Sequence, residues 1–493
     1  MKYGPSLAIT RPRRPLGGGG VNLTENMKVL FVGDSTTAGV GAGDGTGVEP
    51  EMTGARPLSV PLQCMTRLNA RGITSFAETV CQDQSNGMGT ALEQYRSDIE
   101  SSGGYATSSR SPTIGGLLPR MNTGAQSFKF TPSVPVDTFK FGNVFGGSFG
   151  PIGVSIDGNT PVDYDQNGAN GYVVETIDGL SLGAHNIEFT QSGTYTHGPG
   201  FIWAYDSNTP AVHIFNGGMR NSFTSDWTTT TYPSSTLSAM AVIAPDIVVI
   251  DLGINDWRTS GTSIASHESN LETILDQCGA IGASVILVVP HDIASYDTTT
   301  SPWDFDQVYT SYAAHLSYAQ GVVGIPNAVL VDAPAAYAAA GLSGATDPAT
   351  YNALNSNGYQ YDGLHVRPAP YAVEGAAVAD ALITMLGVSA DSAPSFTMSD
   401  LTFSVAASTA AGADPQGNGD ETAGAFSRDP DFATIDGGTN DAHWQIVDGY
   451  KLSPSAAGDA ADLSGGSGGT YTLTVTYVYA GIPQRVTVTI NTT

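Results

Sequence analysis

The stretch VLFVGDSTTAGVG, residues 29 to 41, drops from an apolar run into a loop of Gly, Asp, Ser and Thr. Ser35 in that loop could act as a nucleophile, belong to a phosphate cradle, or cap a helix. A phosphate loop needs a Gly-rich turn followed by Lys and Ser or Thr, or a GxGxxG that opens a helix. Neither is present, and Asp34 and Asp44 place negative charge where an anion would sit. For an isolated GDS the capping reading is favoured. Two later segments bear on the choice. In VVIDLGINDW a buried run ends in Gly253, Asn255 and Asp256, and an Asn amide at the carboxyl end of a parallel strand can donate into the crevice where such sheets bind ligands. In YDGLHVRPAPYAVEG, Asp362 stands three residues before His365. That spacing on a turn lets a carboxylate accept from one imidazole nitrogen while the other faces the crevice. Each segment alone is a common turn.

The surrounding pattern supplies the elements that must position these residues. MKVLFVGDS reads as a short buried strand, and PLSVPLQCMTRLNARG spaces Leu58, Leu62, Met65 and Leu68 at helical intervals. After residue 200 the strands in AVHIFNGG, PDIVVIDLG, SVILVVP and NAVLVDA alternate with helical stretches, which implies a parallel sheet covered on both faces. Residues 101–200 alternate in short strands between Gly, Pro, Asn and Asp turns. There the two IDG turns predict hairpins of a β-sandwich set into the α/β unit. Residues 393–493 read as a terminal immunoglobulin- or cadherin-like sandwich, in which TYTLTVTYVYAGIPQRVTVTINTT supplies two clear strands. Residues 1–25 read as an extended arm ending in the linker Gly17 to Gly20.

GDS after the first strand, GxND after a central strand and DxxH before the last helix, in that order, resemble the SGNH (GDSL-type) hydrolases, a family of esterases and deacetylases. The resemblance covers about residues 27–100 and 201–390. It implies a three-layer α/β/α fold with a flavodoxin-like sheet. It also implies that Ser35 is the nucleophile, His365 the general base and then acid, and Asp362 the residue that orients His365. The oxyanion would be held by the Ser35 backbone N–H and the Asn255 side chain. The family adds an N–H from a Gly five residues after an Asn that ends the second strand. In AVHIFNGGMRNSFTSDW that Asn is Asn216, and Asn221 stands at the glycine position, with Gly87 in SNGMGT as the alternative. GVSIDGNTP and GYVVETIDGLSLGAHNIEF are similar to the carbohydrate-binding-like insert of some bacteriophage and bacterial members. An O-acetylated surface polysaccharide is therefore the expected substrate, and no metal or cofactor is required.

Composition narrows the partners. A net charge of −27, from 19 Lys plus Arg against 46 Asp plus Glu, repels nucleic acid and anionic membranes. Cys64, Cys81 and Cys278 are too few and too widely spaced for a disulfide framework or a paired zinc site. The N-terminal segment lacks a signal-peptide core, and membrane insertion is not expected. With the basic arm and the terminal β unit this fits a protein of the virion surface or the extracellular space. The arm is then a candidate attachment to other virion proteins, and a homo-oligomer is open. Two alternatives stand beside the esterase: a non-catalytic glycan-binding adhesin or fibre protein on the same scaffold, and a secreted short-chain lipase or thioesterase. His185 reads as a hairpin residue and His291 as a lesser crevice candidate. Trp227, Trp257 and Arg258 read as pocket wall or packing, and Asp429, Asp431, Asp436 and Asp441 as solvated loop carboxylates.

Overall fold

Val29, Leu30, Phe31 and Val32 have no exposed surface, as a strand covered on both faces requires. The computed structural model describes residues 23–39, 58–81, 98–102, 106–107, 114, 119–121, 126–193, 195–230, 234–258, 262–291, 305–342, 365–387, 401–405, 432–438, 444–447, 451–454 and 470–492. Its centre is a six-stranded sheet of β1 (Met27–Gly33), β2 (Ser75–Phe76), β3 (Val212–Asn216), β4 (Ile247–Asp251), β5 (Ser284–Val289) and β6 (Val329–Asp332). The order is β6-β5-β4-β1-β3-β2, and every pairing is parallel. Apart from the short edge strand β2, this is the 2-1-3-4-5 order of flavodoxin-like sheets.

Side chains alternate across β1. Leu30 and Val32 pack with Leu271, Ile274 and Leu275 of the helix Ile264–Ile281, while Val29 and Phe31 pack with Val60 and Leu68 of the helix Val60–Ala70 and Leu382 of the helix Pro368–Leu386. Burying each such side chain contributes roughly 1.5–3 kcal/mol. Pro368–Leu386 is apolar on most sides because it is an interior helix, packed on Val60–Ala70 below the sheet.

Two antiparallel sheets pack over a separate core. One is ordered Val162–Tyr164, Ile152–Ile156, Ile187–Gln191, Ser127–Phe130, Ile99–Ser102, and the other Gly171–Ile177, Thr138–Phe145, Phe201–Tyr205, Thr79–Cys81. Phe128, Phe130 and Phe189 of the first meet Phe139 and Phe141 of the second, with the Phe141 and Phe189 rings edge to face at 5.1 Å. These strands run from Thr79 to Tyr205, so they reach past both ends of the 101–200 segment expected from sequence. The second sheet is shared. Its Tyr172, Phe201 and Trp203 turn the other way and join the core around Leu30 and Phe215.

One IDG turn is a hairpin: Asp157 (φ 54°) and Gly158 (φ 70°) connect Ile152–Ile156 to Val162–Tyr164. The other, at Asp178–Gly179, is not. Gly171–Ile177 pairs with Thr138–Phe145 while Ile187–Gln191 lies in the other sheet, so this turn begins a crossing between sheets. The tripeptide is the same in both cases, but Asp157 takes a positive φ and Asp178 does not, and the following strand has a different partner. In the C-terminal region the described residues form a four-stranded sheet, Leu401–Val405, Ile482–Thr492, Thr470–Tyr479, Phe432–Gly438, and a separate pair, Trp444–Val447 with Lys451–Pro454. Asp436 falls on the strand Phe432–Gly438 rather than in a loop; Asp429, Asp431, Asp441 and the arm before residue 23 lie outside the described residues.

His185 clips the end of the first sheet. Its Nδ1 lies 2.6 Å from Asp157 Oδ2 and its Nε2 lies 2.7 Å from the Ser181 carbonyl oxygen. The Ser181 carbonyl, followed by Asp157, raises the imidazole above its ordinary value. A raised folded pKa means that the clip stabilises fully below the unfolded value and is lost as pH rises through the folded one. NMR titration of His185 is expected to give a midpoint above its ordinary 6.5, and Asp157→Asn to lower it. A midpoint insensitive to Asp157→Asn would contradict the clip.

Candidate active site

β1 ends in Gly33, and one helical turn, Ser35–Ala38, starts directly after Asp34. Asp34 caps that turn: its Oδ1 accepts from the Thr36 backbone N–H and the Thr36 hydroxyl, both at 2.9 Å. Gly39 closes the turn with φ 97°. Glycine is required at position 33 by a close approach. A Cβ there would overlap the Thr37 side chain and stand 2.9 Å from the Asp251 carbonyl oxygen. The space instead admits the Thr37 hydroxyl, which donates to Asp251 Oδ2 at 2.6 Å. Asp251 is the last residue of β4, beside Gly33 in the sheet. The Ser35 turn is thus pinned to the neighbouring strand from below.

His365 reaches the same point from the other end of the chain. Its Nε2 lies 2.8 Å from Ser35 Oγ across 330 residues of sequence. Both side chains are buried, Ser35 5% and His365 8% exposed. β1 and β4 flank the position where strand order reverses, which is where open α/β sheets place their ligands. Asp362, the expected partner of the imidazole, lies outside the described residues, as does Gly87.

The loop after β3 wraps the Ser35 turn. Gly217 N–H donates to the Phe31 carbonyl and Met219 N–H to that of Gly33, both at 3.0 Å. The Ser222 hydroxyl also donates to the Gly33 carbonyl, at 3.3 Å. Asn255 joins this loop through its side-chain amide, which donates to the Ser222 carbonyl at 3.0 Å. An amide nitrogen carries two N–H groups, so one such bond leaves the other for a further acceptor. Asn221 has φ 58°, the left-handed conformation that Asn adopts more readily than most residues after Gly. The structure therefore brings Ser35 and His365 into contact, and links Asn255 to the loop that carries Asn221.

Neither Asp256 nor Asp251 has a role assigned from the sequence. Asp256, in the GIND segment, points away from solvent and holds the loop: it accepts from Thr224 N–H at 3.0 Å and from the Thr224 hydroxyl at 2.7 Å. Trp227 and Trp257 are core side chains, which answers the choice between packing and pocket wall; the Arg258 side chain is outside the described residues. His291 is buried. Asp251 had one sequence signal, a carboxylate closing the otherwise apolar run IVVID.

Three carboxyls, Asp34, Asp251 and Glu374, are buried beneath the Ser35 turn. Burial, then the Asp251 charge, pushes Asp34 up to about 7, and burial, opposed by the Thr37 bond, pushes Asp251 up to about 6. Burial and then Asp251 likewise raise Glu374, whose Oε2 accepts from the Tyr337 hydroxyl at 2.5 Å. These groups resist ionising together because each desolvated charge opposes the next.

No protein-family model matches this chain, and no curated protein matches it in sequence. Among solved structures, that of a peptidoglycan O-acetylesterase aligns at 16% identity with a TM-score of 0.50, over 73% of this chain and 92% of that one. A family two carbohydrate esterase from Clostridium thermocellum in complex with cellohexaose gives 0.27 at 14% identity, over 55% and 95%. An acetylxylan esterase from Geobacillus stearothermophilus gives 0.24 at 16%, over 36% and 73%. The first agreement shows a shared fold; the two lower scores carry no argument.

Two measurements check the buried joint. Thr37→Val leaves Asp251 without its donor and is expected to cost roughly 1–3 kcal/mol in urea unfolding, whereas Thr37→Ser keeps the bond and most of the stability. Equal losses would remove the hydrogen bond from the account. Asp34 binds its proton more tightly folded, near 7, than at its ordinary 3.8, so its contribution is fully present below 3.8 and is lost as pH rises through about 7. Asp34→Asn is expected to flatten the fall of unfolding free energy over that window, and a parent-like slope would count against the assignment.

Proposed function

We propose that the protein is a serine esterase of the SGNH type that removes ester-linked acyl groups, O-acetyl foremost, from a polysaccharide. The observation that carries this reading is the contact of Ser35 Oγ with His365 Nε2 at 2.8 Å, at the reversal of strand order in a parallel sheet. The fold shared with a peptidoglycan O-acetylesterase supports it. His365 takes the Ser35 proton as Oγ attacks the ester carbonyl carbon, giving a tetrahedral oxyanion. The Ser35 and Asn221 backbone N–H groups and the Asn255 amide hold that oxyanion, each donor contributing roughly 2.7–4 kcal/mol to transition-state stabilisation. The sugar hydroxyl leaves with the proton from His365. Water, deprotonated by His365, then attacks the acyl-Ser35 ester and releases the carboxylate. Asp362 orients the imidazole and stabilises its cation.

Asp34 and Asp251 serve as structural acids in this reading, since their hydrogen bonds run to Thr36 and Thr37 rather than toward His365. The two antiparallel sheets, the second of which shares a core with the α/β unit, would act as a carbohydrate-binding-like insert and present the glycan. An extracellular or virion-surface location belongs to the same reading, consistent with the low cationic content.

Acetate release from O-acetylated bacterial polysaccharides and from a short-chain nitrophenyl ester tests the proposal. Ser35→Ala is expected to lower turnover by at least about a thousandfold. Unchanged turnover in that variant would sink the assignment. A parent protein that binds the glycan and releases no acetate would favour the adhesin, and preference for long-chain esters the lipase.

A further inference from the structure

The hairpin of Thr470–Tyr479 and Ile482–Thr492 pairs up to Tyr479 and Ile482, leaving a two-residue turn of Ala480 (φ 47°) and Gly481 (φ 79°). Two positive φ angles in succession match the turn that fits the twist of an antiparallel pair. Ala480 is buried and Gly481 half-buried. A Cβ at Gly481 would overlap that of Ala376 and lie 2.6 Å from the Ala372 carbonyl oxygen, so the turn rests against the backbone of the helix Pro368–Leu386. Val478 packs with Ala369 and Ala372 of the same helix, with Leu58 beside them. Arg67, 6% exposed, completes the joint: its Nη1 donates to the Ala480 carbonyl at 3.2 Å while its Nη2 binds Asp380 at 2.8 Å. Arg71 binds the other Asp380 oxygen at 2.7 Å. One guanidinium therefore ties together the helix Val60–Ala70, the helix Pro368–Leu386 and the terminal hairpin.

The braced helix begins three residues after His365, and Val366 between them is fully buried. We propose that the Ala480–Gly481 turn is a positioning element of the catalytic unit, holding the first turns of Pro368–Leu386 and through them the approach of His365 to Ser35. This rests on the esterase reading for its catalytic consequence but not for its structural one. A helix moves as a rigid piece, so displacement at Ala372 and Ala376 carries to its N-terminus. A misplacement of about 1 Å at a reacting group costs on the order of a hundredfold in rate. The small residues Ala369, Ala372 and Ala376 let the hairpin approach closely, and Gly481 is the one residue type that fits opposite them.

Gly481→Val and Val478→Ala break the joint independently, by added bulk and by a lost apolar contact. Hydrogen exchange and acetate-ester kinetics on both full-length variants, well below their unfolding midpoints, test the proposal. Amides of 366–376 are expected to exchange about tenfold faster or more. The kcat is expected to fall about tenfold or more with KM within about twofold, since a displaced base slows chemistry without emptying the binding crevice. The proposal is overturned if amides of 478–484 exchange faster while those of 366–376, and kcat, keep parent values. Should Gly481→Val not fold, Val478→Ala adds no bulk and carries the same comparison. Should the parent show no esterase activity, the exchange arm still decides whether the turn braces the helix, so the two ideas fail separately.

Discussion

The hydrogen bond from Thr37 to the buried Asp251 carboxyl is the joint on which the Ser35 turn depends. It fixes the one-turn helix of Ser35 to the end of the adjacent strand, and it exists only because residue 33 has no side chain. A four-residue helix has no stability of its own, since nucleation costs more than one turn returns. Its geometry must come from outside, and it does: from the Asp34 cap, from Asp251, and from the loop after β3 that bonds back to the Phe31 and Gly33 carbonyls. Asn255 and Asp256 hold that loop in turn, the one through Ser222 and the other through Thr224. The GDS segment places Ser35 against His365 and fastens its own support, and the GIND segment fastens the loop after β3.

Carboxyls at such a place carry an electrostatic penalty. Asp34, Asp251 and Glu374 are withdrawn from water in a chain whose net charge is already −27. Their raised pKa values describe how the fold accommodates them, by keeping protons on groups that could not all be charged. A neutral carboxyl still accepts from Thr37 or Thr36. The Tyr312 hydroxyl donates to the Leu252 carbonyl, another tie at the same strand end.

The parts of the chain are joined by shared packing. The sheet with Tyr172, Phe201 and Trp203 is common to two hydrophobic cores, one with the α/β unit and one with the opposing antiparallel sheet. At the far end the terminal hairpin is seated on the last helix of the α/β unit. Motion of either β region relative to the crevice would have to break buried apolar contacts, each fully buried large side chain contributing roughly 1.5–3 kcal/mol.

Local pattern was enough for the parallel α/β class, because apolar strands buried on both faces and helices of 3.6-residue period leave distinct traces in composition. Motif order along the chain, through the family resemblance, pointed to Ser35, Asn255, Asp362 and His365; the structure brings Ser35 and His365 together and ties Asn255 to the loop after β3, while Asp362 lies outside the described residues. Local pattern was not enough for the pairing of strands: two IDG tripeptides of identical sequence had different fates because three residues do not specify which edge the next strand meets. Nor could sequence show the Thr37–Asp251 joint, the seat of Gly481 on Ala372 and Ala376, or the 2.8 Å contact between Ser35 and His365. Each depends on atoms far apart in the chain that meet only when the sheet, the two covering helix layers and the terminal hairpin close together. Residue type limits what chemistry is available, and tertiary packing decides which groups are close enough, and dry enough, to use it.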